Sequence, residues 1–460
     1  MEKKNSTRKI RFNTMQKIAI GFFGVIFAGG VLLWLPVCNQ KPIAFFDSLF
    51  TSVSAVCVTG LVTIVPAEQF TLLGKIILML LIQIGGLGII ACTVAFFLLL
   101  RRKITMKDRI VIQQAYGLDT LSGLVKFVIR ILKGTLIVEG VGAVLFAMAF
   151  IPQYGVRDGI GYSLFHSISA FCNAGIDILG NNSFIDYVSS PIVNFTTMFL
   201  IVAGGLGFPV WHDIHMNSSR VIKGKEPKIR LWRRLGLQSK VVLTMTALLL
   251  LLGTVGYFFL EYSNPETMGD LNLGDKLMAS GFQSVTTRTA GYATIPQAEL
   301  TAGSRMLGCI LMLIGGSPCG TAGGVKTTTM AMLLLTVISV LRGRKDTECF
   351  GRKIEDSNVR TGIAIVFVTC VLWIAGILVI TVLEPGTDYL DIMYEATSAV
   401  GTVGLSANLT PALERGSQAV LMVLMYAGRI GPMTMALVFA GKARAGTQLR
   451  ELPEKRIMLG

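Results

Sequence analysis

Apolar and charged positions fall in long blocks along this chain instead of alternating at the periods of amphipathic strands or helices. Uncharged runs long enough to cross about 30 Å of hydrocarbon occupy residues 18–40, 76–100, 187–211, 241–260 and 361–383. Three more are each interrupted by one ionisable residue: 134–156 by Glu139, 306–341 by Lys326 and 416–441 by Arg429. A charge at the bilayer centre costs about 2.5–3.5 kcal/mol on insertion scales, so such residues usually face protein or water and mark a pathway. Four weakly charged segments rich in Ser, Thr and Gly lie between these runs, at 48–67, 159–176, 277–298 and 396–413.

The basic residues decide whether those four segments cross. The stretches 1–17, 101–133, 211–240, 342–360 and 442–460 hold 33 of the 42 Lys and Arg residues and 11 acids, a balance of +22, whereas everything else balances to −7. Cytoplasmic loops collect Lys and Arg. If each weak segment crossed, successive basic stretches would fall on opposite sides; if each enters and returns, all five are cytoplasmic. Non-helical backbone is tolerated at membrane depth only when buried in protein or lining water. The expectation is an all-α polytopic membrane protein with eight spans and four re-entrant loops, multi-pass in the cell membrane, with cytoplasmic N- and C-termini.

Composition agrees. With 52% hydrophobic and 15% charged residues, the chain is far from the roughly 25% charge of soluble domains. Its net charge of +15 reads as loop charge facing the cytoplasm or anionic lipid headgroups, and no nucleic-acid partner is expected. The first apolar run is too long for a signal-peptide core, and the eight cysteines, most of them in apolar runs, are expected as free thiols.

A repeat emerges when the weak segments are aligned. Ser54-Ala55-Val56-Cys57-Val58-Thr59-Gly60, Ser169-Ala170-Phe171-Cys172-Asn173-Ala174-Gly175, Ser284-Val285-Thr286-Thr287-Arg288-Thr289-Ala290-Gly291 and Ser398-Ala399-Val400-Gly401-Thr402-Val403-Gly404 end in glycines 115, 116 and 113 residues apart, the third copy one residue longer. A second glycine element follows each: Gly85-Gly86, Gly204-Gly205, Gly315-Gly316 and Gly428. Each unit reads as helix, half-buried loop, helix (M1-P-M2), with repeats at 18–115, 116–235, 236–345 and 346–441 between cytoplasmic termini 1–17 and 442–460. Units of one orientation are related by an axis along the membrane normal, which predicts a pseudo-fourfold ring around one pore.

A cation entering hydrocarbon must have its hydration shell replaced, and backbone carbonyls do this for potassium. Aiming successive carbonyls one way forces some residues to φ > 0, where glycine meets no Cβ clash. Thr402-Val403-Gly404 reproduces the Thr-Val-Gly of a potassium-channel filter, and Thr59-Gly60, Ala174-Gly175 and Ala290-Gly291 are looser versions. Short helices are expected ahead of each, at 47–56, 162–171, 276–285 and 391–400, their C-terminal dipoles favouring a cation on the axis. Asp47 and Asp391 each stand 13 residues before their glycine, at an expected N-cap, where acids at an outer mouth also concentrate cations. Arg288, three residues before Gly291, is expected to point away from the axis and anchor the filter to a carboxylate, with Glu395 as partner.

On these loops, on Gly315-Gly316-Ser317-Pro318-Cys319-Gly320-Thr321-Ala322-Gly323-Gly324 and on Gly428-Arg429-Ile430-Gly431-Pro432, residues 15 to 441 resemble the potassium-uptake superfamily of Ktr, Trk and plant HKT transporters, most closely its Ktr-type translocating subunit. The resemblance implies filter glycines Gly60, Gly175, Gly291 and Gly404, with ion binding at Val58, Thr59, Asn173, Ala174, Thr289, Ala290, Thr402 and Val403. All four are glycine, unlike the sodium-selective HKT pattern with serine in the first loop, while Asn173-Ala174 and Thr289-Ala290 depart from Thr-Val. It further implies an intramembrane gating loop at 315–324 that obstructs the pore, with Arg429 in the constriction, a homodimer with one pore per subunit, and a cytosolic nucleotide-binding regulatory ring of the RCK/KTN type as a separate partner.

Physics supports a gate there. Glycine costs about 1 kcal/mol against alanine inside a helix, so Gly315, Gly316, Gly320, Gly323 and Gly324 break a span, and a fixed cation below the filter raises the barrier to potassium. Interhelical pairing or snorkelling is the other reading for Arg429 and Lys326. No fuel site is required, since 100 mV is worth about 2.3 kcal/mol per charge, roughly 50-fold accumulation. Potassium is the cargo, no cofactor is expected, and sodium is the ion on which uptake could depend. Gly320 to Thr327 only faintly matches a phosphate loop, His212 and His215 read as solvated, His166 as packed, and Cys57 and Cys172 lack zinc spacing. With no nucleophile, base and oxyanion set, an enzyme is not expected; the rival function is a secondary transporter of sodium or ammonium.

Overall fold

Lipid offers backbone N–H and C=O groups no partner, so the apolar runs fold as helices, which satisfy both internally. The computed structural model describes residues 14–88, 91–95, 123–222 and 231–431, with Met106, Arg109 and Gln113. Its helices are α1 (Thr14–Trp34), α2 (Phe45–Cys57), α3 (Pro66–Gln69), α4 (Leu72–Leu87), α5 (Leu124–Cys172), α6 (Pro191–Gly205), α7 (Phe208–Ile222) and α8 (Leu231–Arg234). After these come α9 (Leu237–Glu261), α10 (Leu273–Thr286), α11 (Ala302–Leu313), α12 (Thr327–Leu341), α13 (Asp356–Leu383), α14 (Tyr389–Gly401) and α15 (Arg415–Ile430). A small hairpin of β1 (Glu348–Cys349) and β2 (Arg352–Lys353) and two isolated bridges, Asn39 with Phe70 and Ile314 with Val325, are the β structure among the described residues.

Four described helices, α1, α5, α9 and α13, are long and apolar enough to cross a membrane, and a fifth crossing results if α6 and α7, bent by 98°, count as one. The protein is therefore a mainly helical membrane protein. The other apolar helices are shorter: α4 has 16 residues and α11 only 12. The expected termini 1–17 and 442–460 fall wholly or largely outside the described residues, as do the ends of the expected spans 76–100 and 416–441, Pro432, and much of the basic stretches 101–133 and 211–240.

The expected span 134–156 and the short helix after it are one assigned helix, α5, kinked where Gly155 takes φ 77°, ψ 172°. That region of backbone space is nearly closed to side chains. Gly155→Ala is expected to lower stability by about 1–3 kcal/mol, read from thermal unfolding in detergent, although nothing lies within 4 Å of the added methyl. The loss is backbone strain alone.

Close approach of the long helices to the short ones rests on a layer of small residues. A Cβ on Gly29 would lie 2.5 Å from Ser52 Oγ, and one on Gly142 2.5 Å from Ser167 Oγ. Gly253 abuts Ser284 in the same way, and a Cβ on Gly376 would lie 2.6 Å from Leu424 Cδ1. Leu81, Leu200 and Leu311 stand against the first three glycines as Leu424 does against the fourth. The contacts carry hydrogen bonds: Ser52 donates to the Ile26 carbonyl (2.7 Å), Ser167 to Glu139 (2.5 Å) and Ser284 to Leu250 (2.9 Å), while Trp373 Nε1 donates to Thr397 Oγ1 (2.8 Å). Sequence inspection missed this layer.

Candidate ion pathway and gate

Three short helices end on a left-handed residue: Val58 after α2 (φ 56°), Asn173 after α5 (φ 61°) and Thr402 after α14 (φ 52°). In the third copy Thr289 (φ 70°) takes that place. Two residues later each turn reaches a positive-φ glycine, Gly60 (104°), Gly175 (62°), Gly291 (87°) and Gly404 (94°). Left-handed backbone is strained for β-branched Val58, Thr289 and Thr402, and such strain collects at functional sites. The same hydrogen bond holds three of the turns: Thr59, Ala174 and Val403 donate from their backbone N to the carbonyls of Ser54, Ser169 and Ser398, each at 2.8 Å. Ala290 N donates to Thr286 O at 2.9 Å.

The hydroxyls of these residues complete the turns. Gly60 N and Gly404 N donate to Ser54 Oγ and Ser398 Oγ (3.0 Å each), Ser169 Oγ donates to Ile176 O (2.8 Å) and Thr286 Oγ1 to Tyr292 O (2.6 Å). Thr286 therefore stands where Ser54 does. Ser284, aligned with Ser54 by sequence, instead matches Ser52 in reaching the preceding long helix, so the third copy is one residue shorter than the others, not longer.

The four turns close a ring. A Cβ on Gly60 would lie 2.6 Å from the Ala174 carbonyl oxygen, one on Gly175 would meet that of Ala290, one on Gly291 would lie 2.6 Å from that of Val403, and one on Gly404 would meet that of Thr59. Each glycine thus faces the carbonyl of the residue before the next glycine, in the order first, second, third, fourth and back to first. Thr59, Ala174, Ala290 and Val403 are buried. The Asn173 side-chain amide donates to Ala170 O (3.1 Å) and Ile201 O (3.3 Å), and its oxygen faces the Thr289 hydroxyl of the neighbouring turn.

Asp47 and Asp391 occupy the third position of α2 and α14; Ala44 and Asp388 take the N-cap positions, with no side-chain cap bond. The expected N-caps are thereby corrected, and each acid grips another segment instead. Asp47 Oδ1 and Oδ2 accept from Arg415 Nη1 (2.5 Å) and Nη2 (2.9 Å), and Asp391 pairs with Arg305. Asp275, third in α10, accepts from Ser189 Oγ (2.7 Å), and Asp158 stands third after the Gly155 kink. The short helices of the second and third copies begin earlier than residues 162 and 276, which is why these two acids escaped the sequence reading.

Asp47 is the more buried partner, its side chain 11% exposed against 55% for Arg415. Arg415→Gln is therefore expected to destabilise more, by about 1–3 kcal/mol, because it leaves a half-desolvated carboxylate without its cation. Asp47→Asn frees an arginine that water can solvate. Unfolding of both single variants and the double, in detergent, gives the order.

Arg288 does not meet Glu395, which corrects the expected pair. Glu395 accepts from Ser406 Oγ (2.5 Å), Thr410 Oγ1 (2.7 Å) and Leu409 N (3.3 Å), all in its own post-filter loop. Arg288 is buried behind its turn and lines a small cavity with Thr246, Leu250 and Gly316.

Between α11 and α12 the chain leaves helix from Ile314 to Lys326. Val325 N donates to Leu313 O (3.2 Å) and Thr327 N to Gly316 O (3.0 Å), closing the base of a loop. Its tip hangs on the second copy: Ser317 N donates to Gly205 O (2.9 Å), Thr321 N to Gly204 O (3.2 Å) and Phe208 N to Cys319 O (3.1 Å). A Cβ on Gly320 would lie 2.9 Å from Gly204 O, a Cβ on Gly323 would strike Thr402 Oγ1 beside the ring, and Gly315 and Gly324 abut each other. Gly316 packs on Ala322.

Two cations hold this loop, both on carbonyls. Arg429, on α15, donates to Thr321 O of the loop and, from Nη2, to Gly85 O (2.5 Å) and Gly86 O (3.2 Å) on α4. Lys326 Nζ donates to Ala322 O (2.7 Å) and Gly323 O (3.4 Å). The guanidinium thus ties third-copy loop, fourth-copy helix and first-copy helix together beside the ring.

Residues 2–446 match a family model described as TrkH, cation transport protein. The chain is 38% identical over 440 residues to the Ktr system potassium uptake protein B of Bacillus subtilis, covering 96% of each. It is 39% identical over 462 residues to the potassium/sodium uptake protein NtpJ of Enterococcus hirae, covering 99% of each. Its fold is similar to the crystal structure of the potassium transporter TrkH from Vibrio parahaemolyticus, with a TM-score of 0.73 at 17% identity, over 94% of this chain and 86% of that one. The chain belongs to the TrkH family of cation transport proteins.

Proposed function

We propose that the protein is a channel-like potassium uptake subunit of the cell membrane. Its eight spans form four M1-P-M2 repeats, at 18–115, 116–235, 236–345 and 346–441, around one pore. The observation that carries this reading is the closed ring of main-chain carbonyls at Thr59, Ala174, Ala290 and Val403, each against a glycine of its neighbour. Carbonyl dipoles converging on an axis replace the water around a dehydrated monovalent ion. The uptake of potassium by the Bacillus relative, as its name states, supports the choice of cargo. Val58, Asn173, Thr289 and Thr402 set the turn below each filter glycine, and the loop 315–324, held by Lys326 and Arg429, is the gate.

The subunit works as a homodimer under a cytosolic nucleotide-binding ring, with both termini and the basic loops on the cytoplasmic side. Flux through purified protein in vesicles tests the reading: potassium movement at least tenfold faster than sodium supports it, and no movement of either ion overturns it. One reading beside it has its own support. Asn173-Ala174 and Thr289-Ala290 depart from Thr-Val, and the Enterococcus relative is named for sodium as well as potassium; sodium flux comparable to potassium in the same assay would favour shared transport.

A further inference from the structure

A cavity of about 300 Å³ opens between the start of α5 and α7, away from the ring. Phe208, Trp211 and Ile131 form its apolar walls, and Ile137 on its margin, with neighbouring Leu136, is 67% exposed, so the groove continues onto the apolar outer face of α5. Among the described residues, four basic or titratable side chains line it, Arg130, Lys133, His212 and His215, and no carboxylate does. The nearest acid in sequence, Asp213, is already engaged, accepting from Asn217 Nδ2 (2.8 Å), Gly236 N (2.8 Å) and Ser239 Oγ (2.6 Å). Cationic rim and apolar depth at the end of a span complement a molecule with a negative head and a hydrocarbon tail.

We propose that this cavity is a binding site for an anionic phospholipid of the inner leaflet, one acyl chain against Trp211 and Ile137 and the phosphate on Arg130 and Lys133. The leaflet assignment rests on the orientation proposed above; the site itself does not. Its position gives the lipid a route to the gate. Phe208 lines the cavity and its N–H holds the Cys319 carbonyl of the gating loop, while the Trp211 ring packs on Phe171 at 5.7 Å, two residues before Asn173. Trp211 Nε1 also donates to Ala203 O (2.9 Å), across the α6–α7 bend. A lipid seated there braces the bend from which the loop hangs.

The test is thermal unfolding of the purified full chain in detergent, titrated separately with phosphatidylglycerol, phosphatidylcholine and inorganic phosphate. Stabilisation by phosphatidylglycerol alone is expected, and neutralising both cations in Arg130→Gln/Lys133→Gln is expected to weaken it about 30-fold, at roughly 1 kcal/mol per basic residue. Gly134→Leu keeps the charges but fills the groove, its Cβ 3.4 Å from the Trp211 ring, and is also expected to abolish the lipid shift. Equal stabilisation by phosphatidylcholine, a full effect of inorganic phosphate, or an undiminished lipid shift in both variants would overturn the proposal. The readout needs no ion transport, so failure here and failure of the uptake reading are separate results.

Discussion

Arg429→Gln is expected to raise potassium flux by at least tenfold, measured as efflux from vesicles holding equal amounts of folded protein. Two effects add. The guanidinium is a fixed charge whose hydrogen-bond partners are the carbonyls of Thr321, Gly85 and Gly86, so among the described residues no carboxylate pairs with it to cancel it for an ion below the ring. A unit charge about 8 Å away at an effective dielectric near 20 costs a passing cation about 2 kcal/mol, about 30-fold in rate. The second effect is mechanical: glutamine cannot bridge the Thr321 carbonyl and α4 at once, and the loop loses its tie to the first copy. Arg429→Lys separates the two, since it keeps the charge and gives up the fork; flux between wild type and Arg429→Gln is expected. Unchanged or lower flux in the glutamine variant, with normal folding, would sink the gating role.

The four glycine-ended turns and the glycine-rich loop between α11 and α12 were largely legible in the sequence because both depend on glycine at fixed spacing. A turn that alternates left-handed and ordinary backbone needs that residue, and a repeat of about 115 positions exposes it four times. Other features were hidden for identifiable reasons. Ser284 and Thr286 are both small hydroxyl residues in the same motif, and only the bonds to Leu250 O and Tyr292 O show which of them reaches the turn. Asp158 and Asp275 hold the same third helical positions as Asp47 and Asp391, but stand 17 and 16 residues before their glycines instead of 13, because their helices begin earlier.

The layer of Gly29, Gly142, Gly253 and Gly376 was invisible for another reason. In a chain with 50 glycines, a single glycine in an apolar run carries no signal until the side chain facing it is known. The pairing of Arg288 with Glu395 failed on competition: Ser406, Thr410 and the Leu409 N–H lie within the acid's own loop, and local donors satisfy a buried carboxylate without the entropy of recruiting a distant arginine. What the sequence could not hold is how three copies meet at Arg429, since Thr321 and Gly85 lie 108 and 344 residues from it.

Gly404→Ala is expected to reduce potassium transport by at least 100-fold without unfolding the protein. At φ 94° an alanine is strained by about 1–2 kcal/mol, a modest sum in a helical membrane protein with an extended buried core. The methyl itself does the larger damage: it would strike the Thr59 carbonyl oxygen and lie 2.9 Å from the Gly60 Cα. An oxygen displaced by a few tenths of an ångström no longer matches a dehydrated ion, and its neighbours in the ring shift with it. Gly24→Ala is the control, since nothing lies within 4 Å of its added methyl and it is expected to leave both folding and flux unchanged. The same substitution at Gly60, Gly175 and Gly291 is expected to act in the same direction, because each glycine abuts the next carbonyl around the ring. If Gly404→Ala transports potassium within twofold of wild type and keeps its preference over sodium, the main-chain oxygens at this ring do not select the ion.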